Sequence, residues 1–204
     1  MAAQTEQTPT VFIVDDDAAI RFAMQALMDS VNLNHEIFAS ADDFLEKIGE
    51  QRPGCLVLDI RMPGLGGLEL QEELIKRGNT LPIIFITGHG DVPMAVEAMQ
   101  KGAVDFIQKP FRDQELLDRI REALATDEER REEQQHHAEV AGRLERLTNR
   151  EREVFDLVVT GKPNKVIAYE LGVSQRTLEI HRARVMEKMQ ARSLADLVKM
   201  HMTA

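Results

Sequence analysis

The chain has 204 residues, a formal net charge of −10, a single cysteine and ten methionines; its 43% hydrophobic content suffices for one large core or two small ones and excludes wholesale disorder. One cysteine rules out an internal disulfide and, with no histidine–cysteine cluster beside it, argues against a structural zinc site. The apolar runs are too short to span a bilayer and Met1–Thr10 carries no secretory pattern, so a cytoplasmic protein without membrane contact is expected.

The charge is unevenly spread. Residues 1–125 hold 11 Lys and Arg against 21 Asp and Glu, residues 126–147 hold 4 against 7, and residues 148–204 hold 10 against 7. An acidic block followed by a mildly basic one points to two domains with different partners.

In the first block, Val11–Val14, Cys55–Leu58, Pro82–Ile86 and Val104–Ile107 are near-continuously apolar, as parallel strands covered on both faces are; Glu36–Ala39 is a weaker fifth. Helical periodicity lies between and after them, over Ala18–Ser30, Ala41–Glu50, Leu68–Arg77, Val92–Lys101 and Arg112–Leu124. Gly49, Gly78 and Gly102 follow three of these as stop signals. Five βα units predict an α/β, doubly wound, five-stranded parallel sheet of the flavodoxin-like kind over residues 1–125.

The segment 126–147 contains no proline, and no glycine before Gly142. Its pairs Asp127–Arg131 and Glu139–Arg143 have the spacing that supports an exposed helix, so it reads as a polar helical linker, with Val140, Leu144 and Leu147 restoring apolar character near its end. His136 and His137, four residues from Glu132 and Glu133, fit a solvated face better than a metal site. From 148 to 204 an all-α, four-helix domain is predicted. Thr148 and Glu151 form a capping box, a short helix covers Pro163–Leu171, and a longer one covers Ser174–Gln190.

Ligands of open α/β sheets bind beyond the carboxyl ends of the strands. There stand Asp15, Asp16 and Asp17 after the first strand, Asp59 after the third, Thr87 after the fourth, and Lys109 with Pro110 after the fifth. Asp17 suits a helix cap. Crowded carboxylates favour a hard divalent cation such as Mg²⁺, and a carboxylate is a known phosphoryl acceptor. A lysine and a hydroxyl can hold the outer oxygens of a transferring phosphoryl group.

These residues, set in Val11-Phe-Ile-Val-Asp-Asp-Asp17, Leu58-Asp-Ile-Arg-Met-Pro-Gly64, Ile86-Thr-Gly-His-Gly90 and Lys109-Pro-Phe111, resemble the receiver domain of two-component response regulators. The resemblance implies that Asp59 is the phosphoacceptor. It also implies that Asp16, Asp59, the Arg61 carbonyl and, largely through water, Asp15 hold Mg²⁺. By the same resemblance Thr87 is the switch hydroxyl, Lys109 pairs with the phosphoryl group, Phe106 is the switch aromatic, and the peptide before Pro110 is cis. Cys55 reads as an inert core thiol, Met94 and Met99 as packing residues, and His89 as a polar loop residue.

In the last block the order short helix, tight break, longer helix is that of a helix-turn-helix, whose second helix enters the major groove. Leu178, Val185 and Met189 form its core stripe; Lys165, Arg176 and Arg184 are placed to reach phosphates, and Glu179 and Ile180 to reach base edges. Leu147-Thr-Asn-Arg-Glu-Arg-Glu-Val154, Leu171-Gly-Val-Ser174 and Arg176-Thr-Leu-Glu-Ile-His181 resemble the LuxR-type DNA-binding domain, and the whole chain resembles a NarL/FixJ-family regulator. That likeness implies that Thr177 contacts phosphate and that Glu179, Ile180 and Ala183 face bases. Its implied partners are a sensor histidine kinase, promoter DNA and a second copy of the chain, with RNA polymerase as a further candidate. The alternatives are an aspartyl-phosphate hydrolase, which typically carries an acid where this chain has Arg61, and a phosphorylated adaptor without DNA binding.

Overall fold

The computed structural model describes residues 8–49, 52–88 and 92–203. Met1–Gln7 of the polar N-terminal stretch, Glu50 at the end of one predicted helix, and His89 with Gly90 of the third motif lie outside them. The elements run β1 (Thr10–Val14), α1 (Ala18–Ser30), β2 (His35–Phe38), α2 (Ala41–Lys47), β3 (Gly54–Asp59), α3 (Gly67–Lys76), β4 (Ile83–Thr87), α4 (Val92–Gln100), β5 (Asp105–Gln108), α5 (Asp113–Glu145), α6 (Asn149–Val158), α7 (Asn164–Glu170), α8 (Gln175–Met189) and α9 (Leu194–Thr203). They fall into two compact units that divide between Arg130 and Arg131.

The first unit is a five-stranded parallel sheet in the order β2-β1-β3-β4-β5. Alternate side chains of each strand leave on opposite faces, and the two faces have separate cores. On one, Phe12, Val14, Leu56, Leu58 and Phe85 pack against Phe44 of α2, Leu70 and Leu74 of α3, and Ala98 of α4. On the other, Val11, Ile13, Val57, Ile84 and Ile107 meet Met24 and Met28 of α1 and Leu116, Leu117 and Ile120 of α5. All these side chains are buried, and each Val, Leu, Ile, Phe or Met among them contributes roughly 1.5–3 kcal/mol if it was exposed in the unfolded chain. Cys55 lies in the second core, its thiol pushed up to about 12 by burial and by the Asp127 charge, which fits an inert thiol.

Register places the functional edge. Val14 pairs with Leu58, so Asp15 and Asp59 follow side by side; Asp59 pairs with Ile86 beside Thr87, and Thr87 with Gln108 beside Lys109. The helices leave that edge with little slack. A Cβ on Gly67, the first residue of α3, would stand 2.3 Å from the Asp59 carbonyl oxygen, so only glycine lets α3 start this close to the end of β3.

The helix predicted over 112–124 continues through the predicted helical linker, and α5 is one uninterrupted helix of 33 residues. One observation differs from the expected polar linker: Asp127 is 1% exposed, its Oδ2 accepting the Gly54 amide at 2.9 Å and its Oδ1 paired with Arg130. Periodicity predicts solvent for this carboxylate, whereas the amide at the start of β3 needs an acceptor and the helix passes close enough to supply one. Residues 132–139 are exposed as predicted, and Arg143 pairs with Glu139 at 3.4 Å.

In the second unit Val140 and Leu144 of α5 join Val154, Phe155 and Val158 of α6, Ile167 of α7, Leu178, Val185 and Met189 of α8 and Leu197 of α9 in one core. The predicted capping box is present: Thr148 Oγ1 accepts the Glu151 amide at 3.3 Å, and the Glu151 carboxylate accepts the Thr148 amide at 2.8 Å. Glu151 is itself buried, and Lys188 of α8 donates to it at 2.5 Å. These bonds, Lys188 first and the Thr148 amide second, hold the carboxyl down at about 2.

Candidate functional sites

Ligand oxygens of Asp15, Asp16 and Asp59 lie within 4.8 Å of one another at the carboxyl ends of β1 and β3. Asp15 and Asp59 are buried and Asp16 is exposed, so the cluster opens to solvent on one side. Lys109 reaches in from the end of β5, its Nζ donating to Asp15 Oδ2 at 2.8 Å and Asp59 Oδ1 at 3.1 Å. The Lys109–Pro110 peptide is cis, as the resemblance implies. Thr87, 1% exposed, ends β4 on the same edge, and its carbonyl accepts the Lys109 amide at 2.6 Å. Phe106 is half-buried and packs against the core beneath α2, α3 and α4. Arg61 is exposed two residues beyond Asp59.

The electrostatics follow from this crowding. Burial pushes the Asp59 carboxyl above the usual carboxylate range, against the pull of Lys109, and the nearby Asp15 and Asp16 charges add to the rise. For Lys109, burial alone would lower the ammonium; its bonds to Asp15 and Asp59 outweigh it and leave it above its ordinary value. Of the three carboxylates only Asp15 and Asp59 pair with the lysine, and the donor set is all oxygen. That fits a hard divalent cation, which relieves the remaining repulsion and needs oxygen ligands. Asp17 caps α1 as predicted, accepting the Ala19 amide at 2.8 Å. Arg21 was not foreseen here. Its spacing from Asp17 suggests an i,i+4 pair, yet its Nη1 donates to the Asp15 carbonyl at 2.7 Å.

In the second unit Leu178, Val185 and Met189 are fully buried, which turns the opposite side of α8 outward. Arg176, Glu179, Ile180, Ala183 and Arg184 are exposed there, as is Lys165 on α7. Among the described residues Lys165, Arg176 and Arg184 form no ion pair, so their charges are available to an external anion. Thr177 is half-buried in the first turn of α8, where Ser174 Oγ accepts its amide at 3.1 Å. Arg182 donates to Asn164 Oδ1 at 2.6 Å and ties α8 to α7, a link that sequence spacing does not reveal.

Residues 11–121 match the family model described as the response regulator receiver domain, and residues 145–201 match that of bacterial regulatory proteins of the luxR family. The chain is a response regulator. It is 50% identical over 193 residues to nodulation protein W of Bradyrhizobium diazoefficiens, covering 95% of this chain and 85% of that protein. It is 45% identical to the transcriptional regulatory protein FixJ of Azorhizobium caulinodans, covering 95% and 92%. Among solved structures it resembles response regulator StyR with TM-score 0.89 and 44% identity, covering 97% of this chain and all of that one. Full-length FixJ from B. japonicum matches with TM-score 0.61 and 42% identity, covering 96% of each. This response regulator therefore joins a receiver to a LuxR-type DNA-binding domain, and it is a transcriptional regulator and not a classical enzyme. Among the described residues, no helix is long and apolar enough to cross a membrane.

Proposed function

We propose that this response regulator accepts a phosphoryl group on Asp59 from a sensor histidine kinase and answers by pairing with a second copy and binding promoter DNA. The observation that carries this is the convergence of Asp15, Asp16 and Asp59 within 4.8 Å, with Lys109 bonded to two of them. In the transfer, the P–N bond of a phosphohistidine breaks, an Asp59 oxygen bonds to phosphorus, and the imidazole nitrogen leaves with the electron pair.

Mg²⁺ would be held by the Asp16 and Asp59 carboxylates and the Arg61 carbonyl, with Asp15 largely through water, and when bound it neutralises charge on the phosphoryl oxygens. Lys109 shifts from Asp59 toward a phosphoryl oxygen, and the Thr87 hydroxyl turns to another. Phe106, already half-buried beside α4, follows Thr87 inward and reshapes the face of α4, β5 and α5 on which two receivers pair. The receiver assists its own dephosphorylation as well: a water oxygen bonds to phosphorus, the P–O bond to Asp59 breaks, and the carboxylate and inorganic phosphate are released. The domains run 1–125 and 148–204 with a linker at 126–147. Lys165, Arg176, Thr177 and Arg184 hold phosphates, Glu179, Ile180 and Ala183 read bases, and RNA polymerase is the further partner, all in the cytoplasm.

Labelling of the whole chain with acetyl phosphate and Mg²⁺ tests the reading. Incorporation should approach one phosphoryl group per chain and vanish in Asp59→Asn. Labelling that persists in that variant, or continuous turnover on phosphate esters, overturns the assignment.

A further inference from the structure

Asp15 is held at every polar atom it possesses. Its amide donates to the Phe38 carbonyl at 3.3 Å, Oδ1 accepts the Asp17 amide at 2.8 Å, and Oδ2 accepts Lys109 at 2.8 Å. The fourth contact is the Arg21 guanidinium on the Asp15 carbonyl, at 2.7 Å. Arg21 is half-buried on α1 and, among the described residues, makes no ion pair, although the acidic turn it touches offers three successive carboxylates. A guanidinium beside carboxylates ordinarily forks onto one of them. Here it grips the backbone, so the turn is fixed and no carboxylate oxygen is consumed.

We propose that Arg21 is a positioning residue for the cation pocket. It locks the Asp15–Asp17 turn so that the Asp16 carboxylate meets that of Asp59, and it leaves their oxygens to the metal. The inference rests on the metal-binding reading given above, and it concerns how the turn is held, not which residues ligate.

Two roles for Arg21 predict opposite signs. As a bare positive charge near the pocket it repels a divalent cation, so its removal would tighten binding. As an anchor it pre-organises the ligands, so its removal weakens binding by about tenfold, as loss of a residue supporting a ligand generally does.

Titration of the full chain with Mn²⁺, followed by the electron paramagnetic resonance of the free ion, separates them without any phosphoryl transfer. The expected result is weaker binding in Arg21→Ala, with most of the affinity regained in Arg21→Lys, which keeps a donor and the charge. Should Arg21→Ala not fold, Arg21→Gln, too short to reach the carbonyl, carries the same comparison. Wild-type binding lost in Asp16→Asn but unchanged or tightened in Arg21→Ala overturns the Arg21 role alone. Wild-type binding that survives Asp16→Asn overturns the pocket and the Arg21 role together.

Discussion

At the scale of single residues, the acceptor edge leaves almost no room for change. Asp59 closes β3, and α3 begins against its carbonyl at Gly67, where a Cβ would stand 2.3 Å from that oxygen and 3.0 Å from the Ile60 Cα. Both neighbours are backbone, so neither yields as a side-chain end would. Gly67→Ala should therefore push α3 off β3 and cost about 1–3 kcal/mol, seen as a lower urea midpoint for the receiver. Slower labelling by acetyl phosphate should accompany it, because the displaced atom belongs to the acceptor itself; an unchanged midpoint would show that α3 has slack. Glu151 gives a pH test of the other unit. Its folded pKa near 2 lies below the ordinary 4.5, so its stabilisation is complete above pH 4.5 and drains away as pH falls toward 2. Glu151→Gln should cost on the order of 1–3 kcal/mol at pH 7, where Lys188 remains partly open to water, and much less near pH 2.5. Urea unfolding of both proteins at the two pH values, followed by far-ultraviolet circular dichroism, measures the difference. A gap that stays constant with pH would remove the charge from the explanation.

At the scale of elements, α5 shows which information a sequence carries and which it withholds. Its helicity past residue 125 is legible, because the segment lacks breakers and carries i,i+4 charge pairs. The strands and the acidic edge are legible too, since continuous apolar runs mark buried parallel strands and the residue after each run falls at the ligand-binding end. What spacing withholds is the partner of a backbone group far away in the chain. Asp127 meets Gly54 across 73 positions, and nothing local to either residue announces it. Arg21 and Arg182 are hidden as well, although their acceptors lie only six and eighteen positions away, because the choice of the Asp15 carbonyl and of Asn164 Oδ1 is made by the folded geometry. The Asp127 contact has a measurable consequence. Asp127→Ala leaves the buried Gly54 amide without its carboxylate acceptor, at a cost of about 1–3 kcal/mol. Hydrogen exchange should quicken at the start of β3 and in the turn of α5 around residue 127, while β5 stays protected. Unchanged exchange at Gly54 would mean that water replaces the carboxylate at no cost.

At the scale of the whole molecule, the net charge of −10 is the sum of parts with opposite preferences. The acidic excess sits in the first 147 residues, ten charges in residues 1–125 and three in 126–147, and the output block carries a surplus of only three positive charges, 10 against 7. Affinity for a polyanion rests on the few cations that are not already paired: Lys165, Arg176 and Arg184 qualify, whereas Lys188 is spent on Glu151 and Lys162 on Glu170. Each phosphate contact adds about 0.9 to the steepness with which log K falls against log salt. Arg176→Ala and Arg184→Ala should each flatten that slope by about one on any DNA sequence. Ile180→Ala should leave the slope alone and alter only the preference among sequences, because an apolar side chain releases no counterion. Two output units on one site double the number of contacts. The phosphorylated protein should then show about twice the slope of Asp59→Asn measured on the same promoter fragment. Equal slopes would mean that phosphorylation raises affinity without recruiting a second output unit.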